Sequence, residues 1–344
     1  MNFYSWDNHS TLKRKTGGGK ARLDVSYFLK KKGYKSLKYY NSQNVYLKIL
    51  FLIINFILFP FLIKSGSVLF VQYPHNVGQR NILKFYKNIK NIKTIFLVHD
   101  LESIRSKSDK KIEALDLKFS DYIISLNAVL TSYIQNELNI KNKKIVNLDL
   151  WDYYVSEKPS SIINIDLTED TEKYKCNVLI AGNLDKNKVG YLNQLEEISD
   201  VRFYLMGDNL DKEIKLKENI KYLGAFNSDT RVNYFGGDIL GLVWDGESIG
   251  TCSGNYGEYL KKNLPHKTSF YISNMIPVVI WNDAALSRYL KEVHIGLGID
   301  SLCDLSNIAK ISGYFDSEIL FTEKEKLKNG YYLSKALSDL DMLK

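Results

Sequence analysis

One feature constrains the fold of this chain more than any other: short, continuous apolar runs alternate with stretches of helical periodicity from end to end. In the first half the runs are SLKYY, SVLFVQY, TIFLVHD, DYIISL and KIVNLDL, with helical patterns at 21–32, 78–90 and 127–138. The second half repeats the scheme with CNVLIAG, VRFYLMG, IKYLGAF, DILGLVW, IPVVIW and HIGLGI. Strands that are apolar on both faces need cover on both faces, and the intervening helices supply it. That pattern predicts parallel sheets in an α/β fold. With 344 residues there is enough chain for two such sheets, each with its own core.

The expected organisation is a Rossmann-like domain over 1–155, a polar linker at 156–173, a second Rossmann-like domain over 174–322, and a last helix within 323–344 that crosses back to the first domain. Two doubly wound domains facing across a cleft is the predicted architecture. In open parallel sheets, ligands lie beyond the carboxyl ends of the strands. The strand ends therefore define the candidates: Gln72 to His75, His99-Asp100, Trp151-Asp152, Gly182-Asn183, Gly207 to Asn209, Phe226, Trp244-Asp245 and Trp281-Asn282.

Charge is unevenly placed. The whole chain carries +8, while residues 1–50 alone carry eleven Lys and Arg against Asp7 and Asp24. A phosphate-rich partner is implied for the N-terminal part: nucleic acid, an anionic membrane or a sugar nucleotide. Nucleic acid ranks last, because no binding motif with aromatic stacking positions accompanies the charge. Directly after the basic region comes VYLKILFLIINFILFPFLIK at 45–64. Its uncharged run, Ile49 to Ile63, is shorter than the ~18–20 residues of a spanning helix, and Pro60 is expected to break it. A core helix, an interface helix or a helix lying on a membrane surface is expected instead. A peripheral membrane contact through 1–64 and a homo-oligomer are the partner expectations here. Cys176, Cys252 and Cys303 follow no metal-ligand spacing and read as reduced thiols of a cytoplasmic protein, and the N-terminus lacks a signal-peptide core.

Three stretches carry candidate chemistry. Pro265 marks a helix start, since its missing N–H is tolerated at the first helical position. His266, Lys267 and Thr268 then occupy a first turn whose free N–H groups and dipole suit an anion, and a lysine there is otherwise placed at the wrong end. Thr16 to Ala21, with its three glycines, is neither a Walker loop nor a dinucleotide fingerprint. It is either a flexible loop or a backbone approach to a phosphate or sugar. Val98-His99-Asp100 ends a strand; Asp100 or His99 is a candidate base for an attacking hydroxyl, and Asp100 as a cap of the next helix is the other, compatible reading. No His, Cys and carboxylate cluster has metal spacing, so lysines and a helix terminus are expected to do a metal's work.

The runs Gly241 to Asp245, Tyr259 to Ser269 and Pro277 to Trp281, followed by Ala284-Ala285, resemble one bacterial glycosyltransferase family. It is the family of galactofuranosyltransferases and of glucosyltransferase-3-like enzymes that extend glycans on serine-rich repeat adhesins. Gly19-Lys20-Ala21 with Asp24-Val25, Gln72-Tyr73-Pro74 and His99-Asp100 look like its first-domain motifs. The resemblance implies a GT-B fold, with the donor mostly on the second domain and the acceptor mostly on the first. It implies that His266, Lys267, Thr268 and Ser269 hold the donor diphosphate, that Asn183 and Lys186 contact the nucleotide, and that Phe226 faces the base. A loop of Gly18, Gly19 and Lys20 would close over the donor. Leu184 and Asp185 depart from the family's commoner Pro-Glu pair, and a Glu-x7-Glu pair is missing. The expected function is metal-independent transfer of a hexose from a nucleotide sugar, a UDP-sugar first among them, to a glycan on protein or lipid, without a cofactor and in the cytoplasm or peripheral at the inner face of the membrane. Lys267 and Asp100 are the expected catalytic pair. A nucleotide-sugar epimerase on the same fold and a non-catalytic glycan- or membrane-binding subunit are the alternatives.

Overall fold

The computed structural model describes residues 2–6, 17–105, 109–141, 143–214, 216–308 and 315–342. Thr16 of the glycine stretch and the basic residues Lys13, Arg14 and Lys15 lie outside the described residues. The chain divides into two compact units, Met1–Leu150 with Tyr332–Lys344, and Trp151–Tyr331.

The first unit holds a six-stranded, wholly parallel sheet. Its strands are β1 (Phe3–Trp6), β2 (Lys35–Leu37), β3 (Val68–Tyr73), β4 (Lys93–Val98), β5 (Tyr122–Ser125) and β6 (Lys144–Asn147), in the order β2-β1-β3-β4-β5-β6. Its helices are α1 (Gly17–Lys31), α2 (Val45–Leu62), α3 (Val77–Ile89), α4 (Glu102–Arg105), α5 (Lys110–Phe119) and α6 (Ala128–Asn136). Every residue of β3 is buried, as a continuous apolar strand requires. α3 starts on a reciprocal capping box between Asn76 and Gln79, and α6 on the Asn127 side chain, which accepts the Leu130 N–H.

α2 departs from expectation at Pro60, and its exposure removes one of the three readings. It continues through Pro60 to Leu62: the proline sits in the last turn, so the bond that it forgoes and the carbonyl that its ring crowds lie at the end of the helix and not in its middle. It is also no core helix. Only Asn55 and Phe59 are buried, and by length and composition the helix is apolar enough to cross a membrane.

The second unit contains β8 (Cys176–Ala181), β9 (Val201–Met206), β10 (Ile220–Tyr222), β12 (Leu240–Val243), β13 (Val278–Trp281) and β14 (Gly296–Ile299) in the order β10-β9-β8-β12-β13-β14, again all parallel. A separate parallel pair joins β7 (Ile162–Asp166) to β11 (Arg231–Phe235). The helices are α7 (Thr168–Lys173), α8 (Lys186–Val189), α9 (Gly254–Leu260), α10 (His266–Ser273), α11 (Ser287–Glu292) and α12 (Ser317–Asn329). The stretch 156–173, read as a linker, thus carries a strand and a helix of this unit. Its alternation, with Ile165 buried between exposed neighbours, is hidden among Ser, Glu and Asp.

The expected single last helix is two helices. Gly330, at φ 72°, ends α12 in the left-handed conformation that suits glycine, and α13 (Tyr331–Asp339) follows. Residues from Tyr332 onward belong to the first unit. They are tied to it by the Tyr34 hydroxyl, which donates to the Met342 carbonyl at 3.0 Å, and by Lys335–Asp149 and Lys144–Asp341 ion pairs at 2.7 and 3.0 Å.

Candidate active site

The second sheet's order places its topological reversal between β8 and β12, the crevice where open α/β sheets take ligands. Beyond these two strands run Gly182-Asn183 and Trp244-Asp245-Gly246. Tyr271 of α10 fastens the crevice from beneath. Its hydroxyl accepts the Ala181 N–H at 2.8 Å and donates to the Leu242 carbonyl at 3.0 Å. The ring occupies the space beside Gly241, where a Cβ would come within 2.3 Å of ring carbon. Gly182 and Gly246, at φ +127° and +132°, turn the chain away in conformations that other side chains rarely adopt.

Asp245 is the centre of the site. Its Oδ1 lies 3.0 Å from Lys267 Nζ, which also reaches the Trp244 carbonyl at 3.3 Å. Lys188, on α8, approaches Oδ2 at 3.7 Å. The side chains of Asp245 and Lys267 are only 9% and 13% exposed. Two ammonium groups thus share one carboxylate, and the half-buried cluster carries a net positive charge. Burial lowers the Lys267 pKa, the Asp245 carboxylate opposes that shift, and Lys188 adds to it. Such a cluster gains from a bound anion, which supplies the missing negative charge and so offsets the loss of its own hydration.

Lys267 stands in the first turn of α10. Pro265 is the N-cap, with φ −65° and ψ 120°, so the helix begins one residue later than expected, at His266. The Thr268 N–H bonds back to the Pro265 carbonyl at 3.0 Å, and no side chain caps the turn. The segment at 151–153 holds this end in place. Trp151 Nε1 donates to the Leu264 carbonyl at 2.9 Å, and the Tyr153 ring lies 5.0 Å from that of His266.

The remaining expected residues divide. Ser269 is fully buried and its hydroxyl donates to the Trp151 carbonyl at 2.7 Å, so it positions the helix and offers no group to a diphosphate. Thr268 is equally buried, and its hydroxyl has no hydrogen-bond partner among the described residues. Side chains advance about 100° per helical residue, so Lys267 and its two successors cannot all face one ligand. Asn183 Oδ1 accepts from Asn209 Nδ2 at 2.8 Å beyond β8 and β9. Lys186 is exposed, 3.6 Å from Asp211. Phe226 is half-buried, its ring 5.2 Å from Phe270.

In the first unit, Gly18, Gly19 and Lys20 belong to the opening turn of α1 rather than to a loop. Lys20 is buried and paired with Asp24 at 2.5 Å, one turn along the same helix. Asp100 follows β4, is about one third exposed, and lies 3.9 Å from Arg105. From sequence, Lys188 is an alternative to Lys186 for reaching a diphosphate, and Asp245 is only one of the strand-end residues. Both stood at flagged places, a strand end and the loop after Gly182, but their meeting with Lys267 is a product of the fold.

This fold and site define a class: two parallel-sheet Rossmann-like units of the GT-B type, the architecture of a glycosyltransferase. The chain belongs to the glucosyltransferase 3-like family, whose N-terminal domain matches at residues 7–150 and whose C-terminal domain matches at 178–340. It is 31% identical over 277 residues to the β-1,6-galactofuranosyltransferase WbbI of Escherichia coli K12, covering 80% of this chain and 76% of that one. To glucosyltransferase 3 of Streptococcus gordonii it is 22% identical, with 80% of each chain covered. Among solved structures, HepE of Anabaena in complex with UDP and glucose shares the fold, with a TM-score of 0.57 and 11% identity over the full length of both chains.

Proposed function

We propose that this glycosyltransferase moves a hexose from UDP-hexose to a hydroxyl of a cell-surface glycan, carried on protein or lipid, at the cytoplasmic side of the membrane. The observation that carries the reading is the Lys188–Asp245–Lys267 cluster at the reversal point of the second sheet. A diphosphate beyond α10 meets the first-turn N–H groups, the positive end of the helix dipole and a cluster short of one negative charge. As the glycosidic bond breaks, the departing UDP gains negative charge, and the Lys267 ammonium offsets it more strongly in the transition state than in the bound donor. The lysines then do what a divalent metal does in other transferases, and no cofactor takes part.

Names borne by relatives agree with this chemistry. WbbI is a galactofuranosyltransferase, the streptococcal relative is a glucosyltransferase, and HepE was solved with UDP and glucose. Asn183 and Lys186 follow β8, beside Asn209 and Asp211 beyond β9, and are proposed to contact the nucleotide, with Phe226 toward the base. Asp100 is the proposed base for the acceptor hydroxyl.

The test is UDP release from a panel of UDP-hexoses, with and without glycan acceptor, in EDTA. Acceptor-dependent UDP release that survives EDTA is expected. Conversion of the donor to its epimer without UDP release, or a strict magnesium or manganese requirement, would contradict the proposal.

A further inference from the structure

The outer side of α2 is the largest feature that the transfer chemistry leaves unused. Tyr46, Leu50, Ile53, Ile57 and Phe61 follow one another at helical spacing and all stand exposed, Tyr46 at 84% and Phe61 at 82%. Phe85 and Ile89 of α3 are exposed too, and the Phe85 ring lies 5.0 Å from that of Phe56. A contiguous apolar patch of this kind marks an interaction surface.

The charge around the patch identifies its partner. Between Asp24 and Asp100 the chain contains twelve Lys and Arg and no acidic residue, and among the described residues only Arg80, Lys84 and Lys87 of these are paired with carboxylates further along, Asp116 and Asp121. Lys48 in the first turn of α2 and Lys64 just past its end are both exposed, and so is Lys38. A second copy of the same surface would bring these cations against their own kind. Anionic lipid headgroups neutralise them while the acyl region takes up the apolar side chains.

The inner side of α2 fixes how it can lie. Asn55 is buried and bonded twice to the Tyr40 backbone, accepting its N–H at 3.0 Å and donating to its carbonyl at 2.7 Å. Phe59 packs on Trp6 at 4.9 Å and on Tyr86 at 5.6 Å between ring centres. Crossing a bilayer would tear these contacts and carry the Asn55 amide and the Lys48 ammonium into hydrocarbon. We propose that the outer face of α2, extended by Phe85 and Ile89, docks flat on an anionic lipid surface as a peripheral membrane anchor.

Cosedimentation of the full chain with vesicles of phosphatidylcholine alone, and of phosphatidylcholine mixed with phosphatidylglycerol, tests it. Binding to the anionic vesicles is expected, and weak binding at most to the neutral ones. Ile53→Glu with Phe61→Glu should lower partitioning on the order of a hundredfold. Lys48→Gln with Lys64→Gln should lower it roughly 25-fold, and raised salt should weaken the wild-type binding likewise. All four positions are exposed, so circular dichroism should show each variant folded. Equal binding to both vesicle types, or undiminished binding by the Glu variant, would overturn the proposal. So would absence of vesicle binding, whether the chain is a monomer or a dimer that the Glu variant dissolves.

Discussion

The two sheets of this glycosyltransferase are built alike and finished differently. Each has six parallel strands under helices, yet the first has the order β2-β1-β3-β4-β5-β6 and the second β10-β9-β8-β12-β13-β14. At the carboxyl ends of the first sheet, polar groups are turned to holding backbone. The Arg22 guanidinium donates to the Gln72 and Pro74 carbonyls at 3.1 and 3.0 Å, and Gln72 Nε2 donates back to the Arg22 carbonyl at 3.1 Å. His75 lies among Tyr73 and Phe96, and burial pulls its pKa down to about 4, so it is neutral at physiological pH. The second sheet ends instead in two lysines on one carboxylate. Similar scaffolds thus differ in the charge left at their strand ends, and the proposed diphosphate site falls on the one that ends in a surplus of cations.

The sharpest way to break this contrast is Lys267→Ala. Removing a charge that acts on the departing diphosphate should lower turnover roughly 10²–10³-fold, or about 3–4 kcal/mol, by comparison with loss of one oxyanion donor. Lys262→Ala, just beyond α9 and outside the cluster, should leave turnover near wild type when both variants are folded by circular dichroism. A smaller effect belongs to the scaffold beneath. Tyr271→Phe leaves the Ala181 N–H without its acceptor and should destabilise the chain by about 1–3 kcal/mol in urea unfolding.

The pH profile gives the finest discrimination. In the proposed mechanism Lys267 acts as the ammonium, and its lowered pKa in the unliganded protein means that this charge is lost at a lower pH than the ~10.4 of a free lysine. The alkaline fall of kcat/KM should therefore begin below that value and move upward in Lys267→Arg, whose guanidinium stays charged. Identical limbs in the two proteins would exclude Lys267 as the group that titrates.

Much of the fold was legible because buried parallel strands read as unbroken apolar runs, as in β3, β4, β8 and β13. β1, β7 and β11 were missed for the opposite reason. The first, FYSW, is a short run broken by Ser5, and the other two pair with each other at half-exposed positions, where the apolar signal is diluted. Lys267 was legible because a proline beside a helix start is a local signal. Its partner Asp245 was not, since a strand end and a helix start 22 residues apart meet only through the sheet. The glycine run at 17–19 misled in the other direction. Its composition reads as a loop, but the buried Lys20–Asp24 pair at helical spacing stabilises α1. For α2, periodicity left core, interface and membrane surface open, because exposure is decided by what the rest of the unit can cover.

The central claim is that the second sheet's lysine cluster holds the donor diphosphate. Calorimetric titration of UDP into wild type, Lys267→Ala and Asp100→Ala tests it most directly, since UDP carries the diphosphate without the sugar. Loss of one charge-assisted contact, about 1.5–3 kcal/mol, predicts roughly 10- to 150-fold weaker UDP binding in Lys267→Ala and unchanged binding in Asp100→Ala. Wild-type UDP affinity in a folded Lys267→Ala, or its loss in Asp100→Ala, would contradict the account.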